Sequence, residues 1–247
     1  MKVLLLSAYA AQSHVYWQRG LQQMFSDWEW TCLELPPRFF SWRVRGNPLV
    51  WSLSERETLQ QDWDLLIATS MVDLATLRGL VPSLAAVPTL LYFHENQFHY
   101  PQDRQQHSLL EAQMVSLYAA LAADRIAFNS EYNRDTFLTG CGELLARLPD
   151  KVPAGIPALL RGKSTVLSVP LLPQPGVSPF WPGTHGEIGV RPLRILWSAR
   201  FEHDKGGEGL LRLLRQLEQR EMGYELAMTG QQFRNSPPVF ALIEREF

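Results

Sequence analysis

Cysteine is scarce in this chain of 247 residues. Only Cys32 and Cys141 occur, far apart and without the spacing of a metal site, and no Asn-x-Ser/Thr sequence is present. A disulfide-rich scaffold and a cysteine-based zinc cluster are therefore excluded. Both absences are typical of proteins in a reducing compartment, so we expect a cytoplasmic location.

Long hydrophobic runs are missing too. The amino terminus has an apolar run from Val3 to Leu6, which is shorter than the apolar region of a signal peptide. Similar short runs recur along the chain, and we interpret this one as a core strand. No segment approaches the ~20 apolar residues of a membrane helix. The sequence predicts a soluble protein with no membrane partner.

Neither sign of charge dominates, and glycine-rich phosphate motifs are absent. The chain has 23 basic and 25 acidic residues, a formal net charge of −2, so no overall basic field indicates nucleic acid. Neither GxxxxGK[ST] nor GxGxxG occurs, which argues against a P-loop NTPase and a dinucleotide-dependent dehydrogenase.

The sequence contains instead a regular alternation of short apolar runs and longer amphipathic segments. This alternation is typical of parallel strands joined by helices. We predict strands over 2–7, 30–35, 63–70, 89–94 and 124–130, with a further strand within 164–170. Helices are predicted over 15–25 and 107–123, from 131 onwards, and briefly after the third strand.

A belt rich in proline and glycine interrupts this alternation, which then restarts with strands over 193–200 and 224–230 and a helix over 206–221. The predicted fold is α/β: a doubly wound Rossmann-like domain over 1–170, a linker over 171–190 and part of a second Rossmann-like domain over 191–247. Because two strands form only a marginal sheet, we expect a longer chain or another element to complete the second domain.

Four polar clusters follow the carboxyl ends of predicted strands, where ligands bind in open parallel sheets. They comprise His14; His94, Glu95, Asn96 and Gln97; Asn129 and Ser130; and Arg200, Lys205 and Gly206. Their common placement predicts one binding cleft.

The cluster in "SARFEHDKGG" has the chemistry of a diphosphate clamp. Arg200 and Lys205 precede a helix start at Gly206, where two cations and the positive end of a helix would meet an anion. An equally tenable interpretation is a solvated loop in which Glu202 and Asp204 pair with these cations.

The stretch "LYFHENQFHYP" follows the fourth strand. His94 and His99 are five residues apart after a strand, which does not fit the helical His pair of a zinc protease. His94 is better placed to hydrogen-bond a polar ligand, or simply a loop carbonyl. Asn129 and Ser130 would first of all cap the following helix.

These residues resemble a known family. "RFEHDKG", opening the second domain, is similar to the Arg-x4-Lys element of family 4 glycosyltransferases with the GT-B fold. "YFHENQFHYP" and "FNSEYNRDTF" resemble, more specifically, the tRNA-queuosine mannosyltransferase family, and the resemblance extends over the whole chain.

The resemblance implies transfer of mannose, with retention, from GDP-mannose to queuosine in a tRNA anticodon, without metal or cofactor. It implies that Arg200, Lys205, Gly206 and His14 hold the donor diphosphate and that His94 and Glu95 lie at the reacting centre. Asn96, Gln97, Asn129 and Ser130 would bind the sugar or the acceptor.

The sequence also departs from the family. The loop after the first strand lacks the family's glycines, and the pair of glutamates expected further into the second domain does not occur. We therefore expect this chain alone to have an incomplete donor site and little or no activity. Two other hypotheses stay open: transfer to a lipid or small glycoside, and a non-catalytic module that binds tRNA or a nucleotide.

A possible tRNA contact lies after the second strand. Arginines alternate with aromatic residues over 38–45, a mixture that suits phosphate contact and base stacking. The alternative is a loop that packs its aromatic rings into the core.

Overall fold

A computed structural model describes residues 1–98, 109–171, 176, 192–232 and 236–247. The chain forms two compact units, Met1–Pro173 and Gln174–Phe247. Apart from Leu171 and Gly176, the predicted linker over 171–190 lies outside the described residues.

The first unit contains a six-stranded, fully parallel sheet with the order β2-β1-β3-β4-β5-β6. Central strands of such a sheet are covered on both faces, which explains their uninterrupted apolar runs. In β1, all residues after Lys2 are buried. The strands are β1 (Lys2–Ser7), β2 (Glu29–Glu34), β3 (Leu65–Thr69), β4 (Thr89–Phe93), β5 (Arg125–Phe128) and β6 (Ser164–Val166).

Helices cover both faces of this sheet. They are α1 (Gln12–Met24), α2 (Phe40–Ser54), α3 (Arg56–Leu59), α4 (Leu74–Leu80), α5 (Leu110–Ala122), α6 (Glu131–Ala146) and α7 (Ile156–Gly162), with a 3-10 turn at Pro82–Ala86. Trp17 of α1 packs on the face that carries Val3 and Leu5. The opposite face, with Leu4 and Leu6, packs against the later helices. The predicted doubly wound, Rossmann-like α/β architecture is confirmed.

Several predicted boundaries were wrong. Helix α1 begins at Gln12 rather than Val15, so His14 lies in its first turn and not in a loop. Helix α5 begins at Leu110, and His107 lies outside the described residues. The segment 40–54 is a helix, α2, and not a loop. The strand predicted within 164–170 is confirmed and covers Ser164–Val166.

Cys141 is buried, whereas Cys32 is partly buried and accepts a hydrogen bond from Gln22 Nε2. Burial raises the pKa of Cys32 to about 11, with the negative charge of Glu34 adding to the effect. Burial alone raises the pKa of Cys141 to about 12. Neither sulfur forms a disulfide, and the thiolate form of both is scarce at neutral pH.

The second unit has a parallel pair of strands, β7 (Leu193–Ser198) and β8 (Tyr224–Thr229). Helices α8 (Gly207–Gln219) and α9 (Pro238–Glu246) pack against it around Phe201, Leu214 and Phe240. The sequence predicted a single helix here, starting at Gly206. Helix α9 was missed, and Gly206 is the residue before α8, with a φ of 80° that favours glycine.

None of the helices in these described ranges is both long enough and apolar enough to cross a membrane.

Candidate active site

His14 faces the sheet from the first turn of α1. Residues three and four positions further along a helix share its face, and Trp17 and Gln18 are buried with His14. Strands β1 and β3 are neighbours in the sheet, but the chain continues from β1 to β2 on one side and from β3 to β4 on the other. The first turn of α1 follows β1 at this point. A parallel sheet binds ligands at such a point, beyond the carboxyl ends of its strands.

His94 directly follows β4 and stacks on His14. The two imidazole centroids are 4.0 Å apart and the ring planes differ by 16°. Trp17 and Tyr92 meet the His94 ring edge-on, at centroid distances of 4.9 Å and 4.8 Å. The structure therefore brings together two histidines that lie 80 residues apart in the sequence, and aromatic neighbours fix the orientation of the second.

This packing makes His94 neutral. Burial lowers the pKa of His94 to about 2, and the nearby His14 lowers it further in the same direction. Its Nε2 is buried and has no hydrogen-bond partner, and the same holds for Nδ1 of His14. A neutral imidazole nitrogen can donate or accept one hydrogen bond, depending on the tautomer. Two such nitrogens are thus left for a ligand or a water molecule.

Glu95 contacts the other nitrogen of His14. Its Oε2 lies 3.4 Å from His14 Nε2, and the carboxylate side chain is about one-third exposed, at 36%. The contact lets the carboxylate orient the His14 ring while one edge of the carboxylate remains open to solvent.

Two hydroxyl groups at this edge were missed from the sequence. Ser7 ends β1 and Thr69 ends β3, and the register pairs their preceding residues, Leu6 and Ala68. Both hydroxyl oxygens are buried without a partner, although buried polar groups are usually hydrogen-bonded. Their position in the sequence could have identified them. Each is the last residue of its strand, and the two strands are neighbours at the point where the strand order reverses.

Asn96, Asn129 and Ser130 are engaged with their own chain. Asn96 Nδ2 donates to Asn133 Oδ1 at 2.8 Å and to Thr136 Oγ1 at 3.0 Å. Asn129 Nδ2 donates to the carbonyl of His94 at 2.7 Å. Ser130 Oγ accepts from the backbone N–H of Asn133 and so caps α6. These bonds fix the loop that follows β4.

Gln97 and Asn133 complete the support of this loop. Gln97 is buried, and its backbone carbonyl accepts from Gln113 Nε2 at 3.0 Å. Asn133, which the sequence did not single out, donates to the Phe93 carbonyl at 3.0 Å and to Asn129 Oδ1 at 2.9 Å. Direct contact of Asn96, Gln97, Asn129 and Ser130 with a sugar or acceptor stays a prediction.

In the second unit, Arg200 and Lys205 pair with neighbouring carboxylates. Arg200 Nη2 lies 3.1 Å from Glu202 Oε2, and Lys205 Nζ donates to Asp204 Oδ2 at 2.6 Å. Gly206 turns the chain into α8 immediately after Lys205. A bound diphosphate would have to compete with these carboxylates, and the predicted clamp stays a prediction.

A metal site needs several ligating side chains that converge on one point. His99, the second histidine of the zinc interpretation, lies outside the described residues. Over the described ranges, no three His, Cys, Asp or Glu side chains come together in a way that could hold a metal ion.

Comparison with known proteins identifies the family. A curated relative, the tRNA-queuosine alpha-mannosyltransferase of Drosophila melanogaster, is 27% identical over 249 aligned residues. The alignment covers 99% of this chain, and the chain spans 65% of the relative's length. The family model described as tRNA-queuosine alpha-mannosyltransferase N-terminal matches residues 2–171, which include the whole cluster around His14 and His94. The chain belongs to this tRNA-queuosine alpha-mannosyltransferase family.

Proposed function

We propose that the protein is a retaining GT-B glycosyltransferase of family 4, which transfers mannose from GDP-mannose to queuosine in the anticodon of a tRNA. The observation that carries this proposal is the buried imidazole pair beside Glu95, which lies within the segment matched by the family. The name of the relative supports the same reaction. We place the reaction in the cytoplasm, without a membrane partner, and without metal or cofactor.

Transfer breaks the bond between the anomeric carbon of mannose and the diphosphate, which leaves with the bonding electrons. A queuosine hydroxyl forms the new bond and passes its proton to an oxygen of the departing diphosphate. The main catalytic demand is stabilisation of the charge that develops on the leaving group. We assign this role to Arg200 and Lys205 together with the backbone at Gly206, where α8 begins.

Neutral His94 suits a position beside the transferred sugar. Its unpaired Nε2 can hydrogen-bond a sugar hydroxyl or a reacting oxygen without introducing a competing positive charge. His14 would offer Nδ1 to the donor phosphate or sugar, with Glu95 holding its ring. Asn96, Gln97, Asn129 and Ser130 would serve the acceptor side by holding this loop in place.

Nucleoside mass spectrometry tests the reaction directly. We expect tRNA from cells that carry the full-length gene, with the second domain complete, to contain mannosyl-queuosine, and tRNA from cells without it to contain unmodified queuosine. Label from GDP-mannose that appears in lipid extracts but not in tRNA would contradict the acceptor. A protein that binds GDP and transfers no sugar to any acceptor would be a binding module.

The donor side has its own test. In a protein with a complete second domain, Arg200→Ala and Lys205→Ala should each weaken GDP binding by about ten-fold or more, because each removes a charge-assisted hydrogen bond. Arg212→Ala is the matched control, since Arg212 is an exposed arginine on α8. Calorimetric affinities equal to that of the unmodified protein for both variants would refute the clamp.

A further inference from the structure

The segment that leads from β2 into α2 reaches the same edge of the sheet as His14 and His94. It follows the carboxyl end of β2 at Glu34, and the Leu35 carbonyl accepts from the Ala10 N–H in the loop after β1. The Phe40 ring meets Tyr9 of that loop edge-on, with centroids 5.8 Å apart. The surface at the start of α2 is therefore continuous with the loop that leads into α1.

Phe39 is held outward at the start of α2. It has a φ of 54°, in the left-handed region that an aromatic residue seldom adopts. Its ring is 70% exposed, and Arg38 Cζ lies 5.6 Å from the ring centroid. A strained backbone that keeps a large apolar ring in solvent indicates a binding role.

Trp42 lies flat over Gly46. A Cβ added to Gly46 would stand 2.6 Å from the Trp42 ring, so the absence of a side chain there allows the indole to rest on the helix backbone. The indole is nevertheless 50% exposed. The alternative that this segment packs its aromatic rings into the core is therefore wrong for Trp42 and Phe39.

Cations accompany these rings. Arg38 is exposed, and among the described residues neither Arg38 nor Arg43 forms an ion pair with a carboxylate. The Arg43 Nε is buried without a partner. Arg45, in contrast, pairs with Asp73 and Glu111. The positive charge available to a ligand is thus concentrated at the exposed rings.

We propose that Arg38, Phe39, Trp42 and Arg43 form a contact surface for single-stranded RNA. Unpaired bases stack on the Phe39 and Trp42 rings, and the arginines meet the backbone phosphates. Exposed flat rings interleaved with unpaired arginines fit a polyanion with aromatic bases better than they fit an apolar protein surface. The inference rests on the proposed function, which brings the unpaired loop of a tRNA to this edge of the sheet.

Fluorescence anisotropy with a labelled RNA hairpin, which has a single-stranded loop, tests this surface in the whole chain. Trp42→Ala and Phe39→Ala should each weaken binding by about five-fold or more, the loss expected for one stacked base. Trp42→Phe should retain most of the affinity, since it keeps a ring. Leu53→Ala removes an exposed apolar side chain at the far end of α2, and it should change the RNA affinity by no more than about two-fold.

Gly46→Ala provides the most specific variant. Alanine favours a helix more than glycine does, so the helix persists, but its methyl group displaces the Trp42 ring. We expect weaker RNA binding although no RNA-contacting group has been removed. Arg38→Ala should instead make the dependence of log K on log salt shallower, by about 0.7 for one lost phosphate contact.

The outcomes separate this surface from the proposed reaction. Unchanged RNA affinity in Trp42→Ala and Phe39→Ala would overturn the surface, even if the protein glycosylates tRNA. RNA binding that these variants weaken, in a protein whose second domain is complete and which still transfers no sugar, would support the surface and refute the reaction. A change of oligomeric state in light scattering, with RNA affinity unchanged, would identify a protein interface instead and overturn the RNA assignment.

Discussion

His94 shows how burial decides the chemistry available to one side chain. An exposed histidine titrates near pH 6.5, but His94 is packed between His14, Trp17 and Tyr92 and stays neutral far below that value. The proton is excluded because burial disfavours the charged imidazolium, and the neighbouring His14 adds to the effect. At the scale of the residue, the site is therefore built for hydrogen bonding rather than for proton transfer by an imidazolium.

The depressed pKa of His94 makes stability depend on pH. Between the folded pKa of about 2 and the unfolded value of about 6.5, the unfolded chain binds a proton that the folded chain does not. The contribution of His94 is present above pH ~6.5 and is lost as the pH falls, by at most about 1.4 kcal/mol per pH unit. Denaturant unfolding at several pH values should show that the free energy of unfolding falls less steeply with decreasing pH in His94→Gln than in the unmodified protein. The same pH dependence in both proteins would contradict a depressed pKa of His94.

Turnover provides a second measurement on the same residue. In the active protein, His94→Ala should lower kcat far more than it lowers the affinity for GDP, because its proposed position is at the reacting centre. Single-turnover kinetics and GDP titration separate the two quantities. Equal losses in both would make His94 a structural residue.

At the scale of elements, the strands of the first unit were the most predictable feature. All six were located, because buried parallel strands read as continuous apolar runs. Helix α2 was missed because its buried side includes polar Asn47 and a helix-breaking Pro48, while Leu49 and Leu53 point to solvent. Helix α9 was missed because it is only nine residues long.

The site was predictable in place but not in geometry. Topology alone put His14 and His94 at one edge of the sheet. Their stacking depends on α1 starting three residues earlier than the apolar spacing suggests, which turns His14 towards β4. The support that Asn133 gives to the loop also depends on tertiary contacts, since Asn133 and Phe93 are 40 residues apart.

Two residues at the start of α6 have different roles: Ser130 caps the helix, and Asn133 supports the loop after β4. Ser130→Ala should lower the free energy of unfolding by about 1 kcal/mol, the usual loss of a helix cap. Asn133→Ala also removes one of the hydrogen bonds to the Phe93 carbonyl and one of those made by the Asn96 amide, so it should lower kcat as well as stability. Unfolding curves and steady-state kinetics measure both effects. A normal kcat in Asn133→Ala would show that the loop is held by other contacts.

At the scale of the whole molecule, the two units differ in how their sheets are protected. Strands β1, β3 and β4 each have a neighbour on both sides, whereas β7 and β8 each have one. Leu196 of β7 is 59% exposed, and a two-stranded sheet is marginal by itself. Among the described residues, the central strands of the first unit are therefore better protected from solvent than the two strands of the second unit.

Hydrogen exchange should reveal this difference. We expect backbone amides of β7 and β8 to exchange much faster than those of β1, β3 and β4, because local opening exposes fewer buried contacts in the second unit. Mass spectrometry of peptic peptides resolves the strands. Equal protection in both sheets would mean that the second unit is stabilised by interactions outside the described residues.

The buried thiols have a practical consequence. Alkylating reagents attack thiolates, and burial holds both Cys32 and Cys141 in the thiol form at neutral pH. The two natural cysteines should therefore react only slowly with thiol-labelling reagents. A single cysteine introduced at exposed Leu53 would carry a spectroscopic probe on α2 without any need to remove the natural ones.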